Sequence, residues 1–226
     1  MTELDGAVVL VVGASGVLGA EIARLLEAKG STVVRAGRNP DRLSGSDTVL
    51  ADLTDETAAA ALVATAVRAH DRLDGIVIAA GVVAFGPASE VTDETLRGLF
   101  EVNALGPIRL IREVSPHLAA SATAGRKPFI LTMSGIVSET PTAGLAAYSA
   151  AKAALAAFVQ ASSRELRRSG IRVVDARPGH TETGLATRAI AGTAPAFPTG
   201  LVPSAVAARI VRAIVDDEKD LPSSAF

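Results

Sequence analysis

The sequence contains no cysteine and no tryptophan, and only one tyrosine and six phenylalanines in 226 residues. Without thiols it can form neither a disulfide nor a thiolate-ligated metal site. Its three histidines, His70, His117 and His180, lie too far apart in the chain to read as a zinc-ligand pair. Also missing is any uninterrupted apolar run of the about 18 residues that a membrane-spanning helix needs. Met1 to Gly6 carries Glu3 and Asp5 where a signal peptide would carry basic residues. These absences predict a cytoplasmic protein with no membrane attachment. The arginines are scattered and the formal net charge is -2, which leaves no electrostatic footprint for nucleic acid.

Hydrophobic residues make up 49% of the chain and charged residues 20%, the balance of a globular enzyme rather than of a disordered segment. The length suits one well-buried domain better than two of ordinary size, so residues 1–226 are read as a single domain. Apolar runs at 7–12, 32–36, 48–51, 76–80, 129–133 and 171–176 read as strands, and helical periodicity occupies 16–29, 55–69, 92–118 and 146–168. A last helix is expected over 204–215, capped by Ser204. Strands that are apolar throughout and alternate with helices predict an α/β fold: a doubly wound parallel sheet covered on both faces. Ligands bind such sheets outside the carboxyl ends of the strands, where the strand order reverses.

The turn Gly13-Ala14-Ser15-Gly16-Val17-Leu18-Gly19 falls between the first expected strand and the first expected helix. That is the context in which glycines let the backbone approach a dinucleotide diphosphate while the helix N-terminus offers free N–H groups. The second strand ends Arg35-Ala36-Gly37-Arg38, with no carboxylate for an adenosine ribose. Arg38, with Arg35 as a second candidate, favours the 2′-phosphate of NADP(H) over NAD(H). Asp41, the nearest acid, falls too late.

Tyr148 and Lys152 stand four residues apart in an expected helix, on one face. A free phenol titrates near about 10. A lysine ammonium about 4 Å away would lower that value by roughly three units, which would suit the pair to acid/base catalysis.

Taken in order, these segments resemble the short-chain dehydrogenases/reductases, over nearly the whole chain to about Leu185. Gly13 to Gly19 resembles the cofactor turn, Asp52-Leu53 the adenine contact, Ala79-Ala80-Gly81 the Asn-Asn-Ala-Gly segment, and Asn103 the helix asparagine. Tyr148-Ser-Ala-Ala-Lys152 is similar to the catalytic signature, and Pro178-Gly179-His180-Thr181-Glu182-Thr183 to the segment beside the nicotinamide amide. The resemblance implies a Rossmann fold and hydride transfer between a nicotinamide cofactor and a small carbonyl or alcohol. In it Tyr148 exchanges the substrate proton, and Lys152 binds the nicotinamide ribose and lowers the tyrosine pKa. Asn103 holds a water that connects Lys152 to solvent, and a serine orients the carbonyl. It also implies a homodimer or homotetramer, built on the helices that bear Asn103 and Tyr148.

Three features depart from the family pattern. The serine is expected thirteen residues before Tyr148, which is Gly135; Ser134 is taken for the role, with Ser138 as a rival. The glycines are spaced three and three, and Ala79 replaces an asparagine. The segment between Thr183 and Pro203, where a substrate lid is expected, is short and predicts an open or small pocket. The leading expectation is an NADP(H)-dependent carbonyl/alcohol oxidoreductase. Its rival is a nucleotide-binding sensor or scaffold that turns over slowly or not at all.

Overall fold

In the computed structural model, which describes residues 1–226, six strands form one parallel sheet. They are β1 (Val8–Val12), β2 (Thr32–Gly37), β3 (Thr48–Leu50), β4 (Gly75–Ile78), β5 (Phe129–Met133) and β6 (Arg172–Ala176). The order across the sheet is β3-β2-β1-β4-β5-β6, so the winding reverses between β1 and β4. Every residue of β1, β4 and β5 is buried, as a parallel strand covered on both faces requires.

Six α-helices cover the sheet: α1 (Val17–Glu27), α2 (Ala58–His70), α3 (Asp93–Phe100), α4 (Gly106–Thr123), α5 (Ala146–Leu166) and α6 (Pro203–Val215). On one face Ile22 and Leu26 of α1 meet Ile210 and Ile214 of α6 against Val9 and Val11. On the other, Leu62 of α2, Leu110 and Val114 of α4, and Leu155 of α5 pack on Leu10 and Ile76. A small third cluster, Val82, Ala84, Leu99, Val102 and Ala151, supports the Tyr148 ring. No helix is long and apolar enough to cross a membrane.

Several element boundaries differ from expectation for local reasons. Helix α2 starts at Ala58 and not near Asp55, because the Asp55 carboxylate accepts from the N–H and hydroxyl of Thr57 (2.8 Å each) and closes a turn first. Ser204 does not cap α6: Val202 holds that position and Pro203 opens the helix, a place where its missing N–H removes no bond. The expected helix over 92–118 is broken by a π turn at Glu101–Leu105. Gly106 donates to Glu101 there, five residues back, and Pro107 has no N–H to offer the Asn103 carbonyl. Such turns frequently mark functional positions.

Candidate active site

The loops after β1 and β4 part at the switch point and open a cleft of about 890 Å3 along the carboxyl ends of the strands. Of the site residues expected from the sequence, Asn103 and the two second candidates Arg35 and Ser138 stand outside this cleft, and the rest line it.

At one end lies the glycine turn. Gly13 has φ +90°, and a Cβ there would stand 2.5 Å from the Ala80 nitrogen. A Cβ on Gly19 would enter the Gly13 carbonyl. Strand, turn and helix can close together only because both positions lack side chains. Helix α1 has no side-chain cap and no acid in its first turn, so the leading N–H groups at Val17, Leu18 and Gly19 have neither an intrahelical acceptor nor an opposing charge. That cradle fits a dinucleotide diphosphate.

Beyond it, β2 ends at Gly37, where a Cβ would stand 2.6 Å from the Ser15 hydroxyl. Position 37 therefore offers no carboxylate to a ribose. Arg38 lines the cleft, exposed, 3.9 Å from Asp52. Arg35 does not join it: it is buried and bonded through Nε and Nη2 to Glu27 at 3.1 and 2.9 Å. The second cation at this end is instead Arg42, which lines the cleft while Asp41 does not. Asp52 accepts from Thr54, and Leu53 is buried beneath the rim.

At the centre, Tyr148 and Lys152 project from the first turns of α5. Burial pushes the Tyr148 phenol up to about 12. The Lys152 ammonium lies 5.9 Å from the tyrosine ring centroid and donates to the Met133 carbonyl at 2.7 Å. Burial pushes Lys152 down to about 8, against the pull of Asp175. Asn103 is fully buried. Its amide clamps the backbone after β4, donating to the Val82 carbonyl at 2.9 Å and accepting from the Val82 N–H at 3.1 Å. Gly81 packs over this pair, and a Cβ there would meet both the Asn103 amide oxygen and the Lys152 ammonium.

Ser134 is fully buried, and its hydroxyl donates to Asp175. Its hydroxyl proton is thus held by Asp175, although the residue itself lines the cleft. Ser138 does not line the cleft, and donates to the Gly135 carbonyl at 2.7 Å. Gly135 itself has φ +73°, and a Cβ there would stand in ordinary contact, 3.7 Å from the Pro178 carbonyl oxygen. Thr142 of this loop also lines the cleft, its hydroxyl donating to the Thr140 carbonyl at 3.2 Å, and nothing in the sequence pattern distinguished it.

The far end is walled by Phe85, Ile136, Val137, Leu145 and Phe197. Phe197 stacks on His180 at 4.7 Å and tilts against Phe85 at 5.9 Å. The short segment 183–202 is tied down at both ends. Phe85 donates its N–H to Ala191 at 2.9 Å, and Gly192, with φ +70°, leaves no room for a Cβ against the Phe85 carbonyl. At the other end Leu201 donates to the His180 carbonyl at 2.7 Å, and Gly200 donates to Glu182 at 2.7 Å. The lid is thus a strap that seats Phe197 in the cleft.

Comparison with known proteins agrees with this arrangement. The model of the short chain dehydrogenase family matches residues 7–193. An uncharacterized oxidoreductase of Methylorubrum extorquens is 33% identical over 208 residues, covering 85% of this chain and 81% of its own. A 2,3-dihydro-2,3-dihydroxybenzoate dehydrogenase of Bacillus subtilis is 26% identical over 219 residues, covering 88% and 82%. The crystal structure of a short-chain dehydrogenase from Streptomyces avermitilis superposes with a TM-score of 0.84 at 27% identity, over 97% of this chain and 89% of that one.

Proposed function

The chain belongs to the short chain dehydrogenase family and is an NAD(P)-dependent oxidoreductase; from that premise we propose that it interconverts a carbonyl and an alcohol, with NADP(H) preferred and Tyr148 as general acid/base. The observation that carries this reading is the meeting, in one cleft, of the open glycine turn with Tyr148 and Lys152 on α5.

In this reading the diphosphate rests on the N–H groups of Val17 to Gly19, and the adenosine end lies by Asp52 and Leu53. Arg38 and Arg42 face the 2′-phosphate, a role that suits guanidinium groups presenting several fixed donors. Ala80, Gly81, Pro178, Gly179, Thr181 and Thr183, which line the other part of the cleft, would hold the nicotinamide end. When bound, the dinucleotide supplies or accepts the hydride, and proton handling is left to the protein's own groups.

A phenol held at about 12 keeps its proton near neutrality. Tyr148 is therefore set to give that proton to a nascent alkoxide, a much stronger base than a phenolate. The Lys152 ammonium then faces the negative charge left on the tyrosine oxygen and stabilises it. With no hydroxyl at position 135, the substrate oxygen relies on Tyr148. The wall of Phe85, Ile136, Val137, Leu145 and Phe197 supports a substrate whose body is apolar next to the reacting carbonyl.

Fluorescence titration with NADPH and NADH, followed by a carbonyl panel read at the reduced-cofactor absorbance, tests the proposal. NADPH-selective binding with turnover supports it. Selective binding without turnover on any carbonyl would favour a sensor, and binding of neither dinucleotide would overturn it.

A further inference from the structure

Strands β5 and β6 run side by side with Thr132 opposite Asp175 and Met133 opposite Ala176. Their ends meet below Lys152, where two buried charges share one peptide group. The Lys152 ammonium donates to the Met133 carbonyl at 2.7 Å. The N–H of that same peptide, on Ser134, donates to the Asp175 carboxylate at 3.2 Å. A cation therefore sits at the negative end of the peptide dipole and an anion at its positive end, and each strengthens the other's bond.

Asp175 is 5% exposed, and all its remaining contacts are donors: the Thr132 hydroxyl at 2.6 Å, the Ser134 hydroxyl, and Arg177 at 3.4 Å. This is the surrounding of an acceptor-only, ionised carboxylate. Besides Arg177, the charge that Asp175 acts on is the Lys152 ammonium across the peptide.

We infer that Asp175 is a positioning residue for the active centre, coupled to Lys152 through the Met133–Ser134 peptide so that the buried ammonium keeps its charge and its place beside Tyr148. The consequence for turnover rests on the acid/base reading of Tyr148 and Lys152; the coupling itself does not. Burial drives Lys152 toward its neutral form, and Asp175 is the charge that opposes this. The groups facing Lys152 are few. Asp175 approaches from β6, Tyr148 from its own helix, and the uncharged Asn103 from the π turn across Gly81. Arg177 lies beyond Asp175 and is itself paired with Glu139 and Asp220.

The chain has only four lysines, Lys29, Lys127, Lys152 and Lys219, so the coupling can be read without a substrate. The full chain, labelled with 13C at lysine Cε, is titrated by NMR, and Lys152 is assigned from its loss in Lys152→Arg. In Asp175→Asn the Lys152 midpoint should fall by about one unit or more, with the other three lysines unmoved. Arg177→Gln, which removes the cation behind Asp175, should raise it. Ser134→Ala keeps the peptide N–H and should leave it near the wild-type value. Once a carbonyl substrate is in hand, the alkaline limb of the kcat profile should shift down with the Lys152 midpoint in Asp175→Asn. A purely structural Asp175 would lower stability without moving either. An unchanged Lys152 midpoint in folded Asp175→Asn would overturn the inference. If that variant does not fold, a Lys152 midpoint that fails to rise in Arg177→Gln would do the same. Neither result would touch the oxidoreductase reading.

Discussion

Ser134 gives its hydroxyl proton to Asp175 on the neighbouring strand, and both groups are buried. A serine so engaged has no proton left for a substrate carbonyl. Ser134→Ala is expected to lower stability by about 1–3 kcal/mol, because a buried carboxylate loses a donor, while kcat/KM falls less than about tenfold. Urea unfolding alongside steady-state kinetics checks this. A loss of activity as large as that of a tyrosine variant would restore Ser134 to the catalytic set.

Arg38 and Arg42 are the cations at the end of the cleft beside β2, where the proposed function sets the 2′-phosphate. A charge-assisted hydrogen bond contributes about 1.5–3 kcal/mol. Arg38→Ala should therefore weaken NADPH binding by roughly tenfold or more and leave NADH binding almost unchanged. Equal losses for the two dinucleotides would assign the arginine to general electrostatics instead.

The strap over the far end depends on Gly192, whose φ of +70° and contact with the Phe85 carbonyl exclude a side chain. Gly192→Ala should displace Phe197 and raise KM for apolar carbonyls several-fold. Phe197→Ala should do the same with less loss of stability, since Phe197 is 37% exposed. Cofactor affinity should hold in both variants, and a KM unchanged in both would remove the strap from substrate binding.

Lys152 contributes a pH dependence whose sign follows from burial. It holds its proton less tightly in the fold, at about 8, than at its ordinary value of 10.5. The unfolded chain therefore binds more protons between those values, and stability rises with pH across that window. In Lys152→Met this contribution disappears. The stability of the wild type relative to Lys152→Met should increase from pH 7.5 to 10, by on the order of 1–3 kcal/mol. A flat difference would mean that the buried ammonium is not strained.

Some of this was legible in the chain itself. Strand β5 falls at Phe129–Met133 as the apolar run between Lys127-Pro128 and Ser134-Gly135 indicates. Tyr148 and Lys152 are legible because one helical turn relates them. Arg35, the second candidate beside Arg38, is drawn away by a signal that strand alternation carries: it shares a face with Val33, which packs toward α1, where Glu27 meets it. The link from Lys152 to Asp175 was out of reach, because it runs through the pairing of Thr132 with Asp175 across two strands far apart in sequence. The π turn was hidden too, since Glu101 to Leu105 keeps a helical pattern.

The central claim is that Tyr148 moves the substrate proton in the cleft that holds the dinucleotide. Its most direct test compares NADPH turnover by wild type and Tyr148→Phe on the same carbonyl, with NADPH affinity measured in parallel. The account predicts a loss of about 10²–10⁴-fold in kcat with cofactor affinity within about twofold, whereas full turnover by Tyr148→Phe would contradict it.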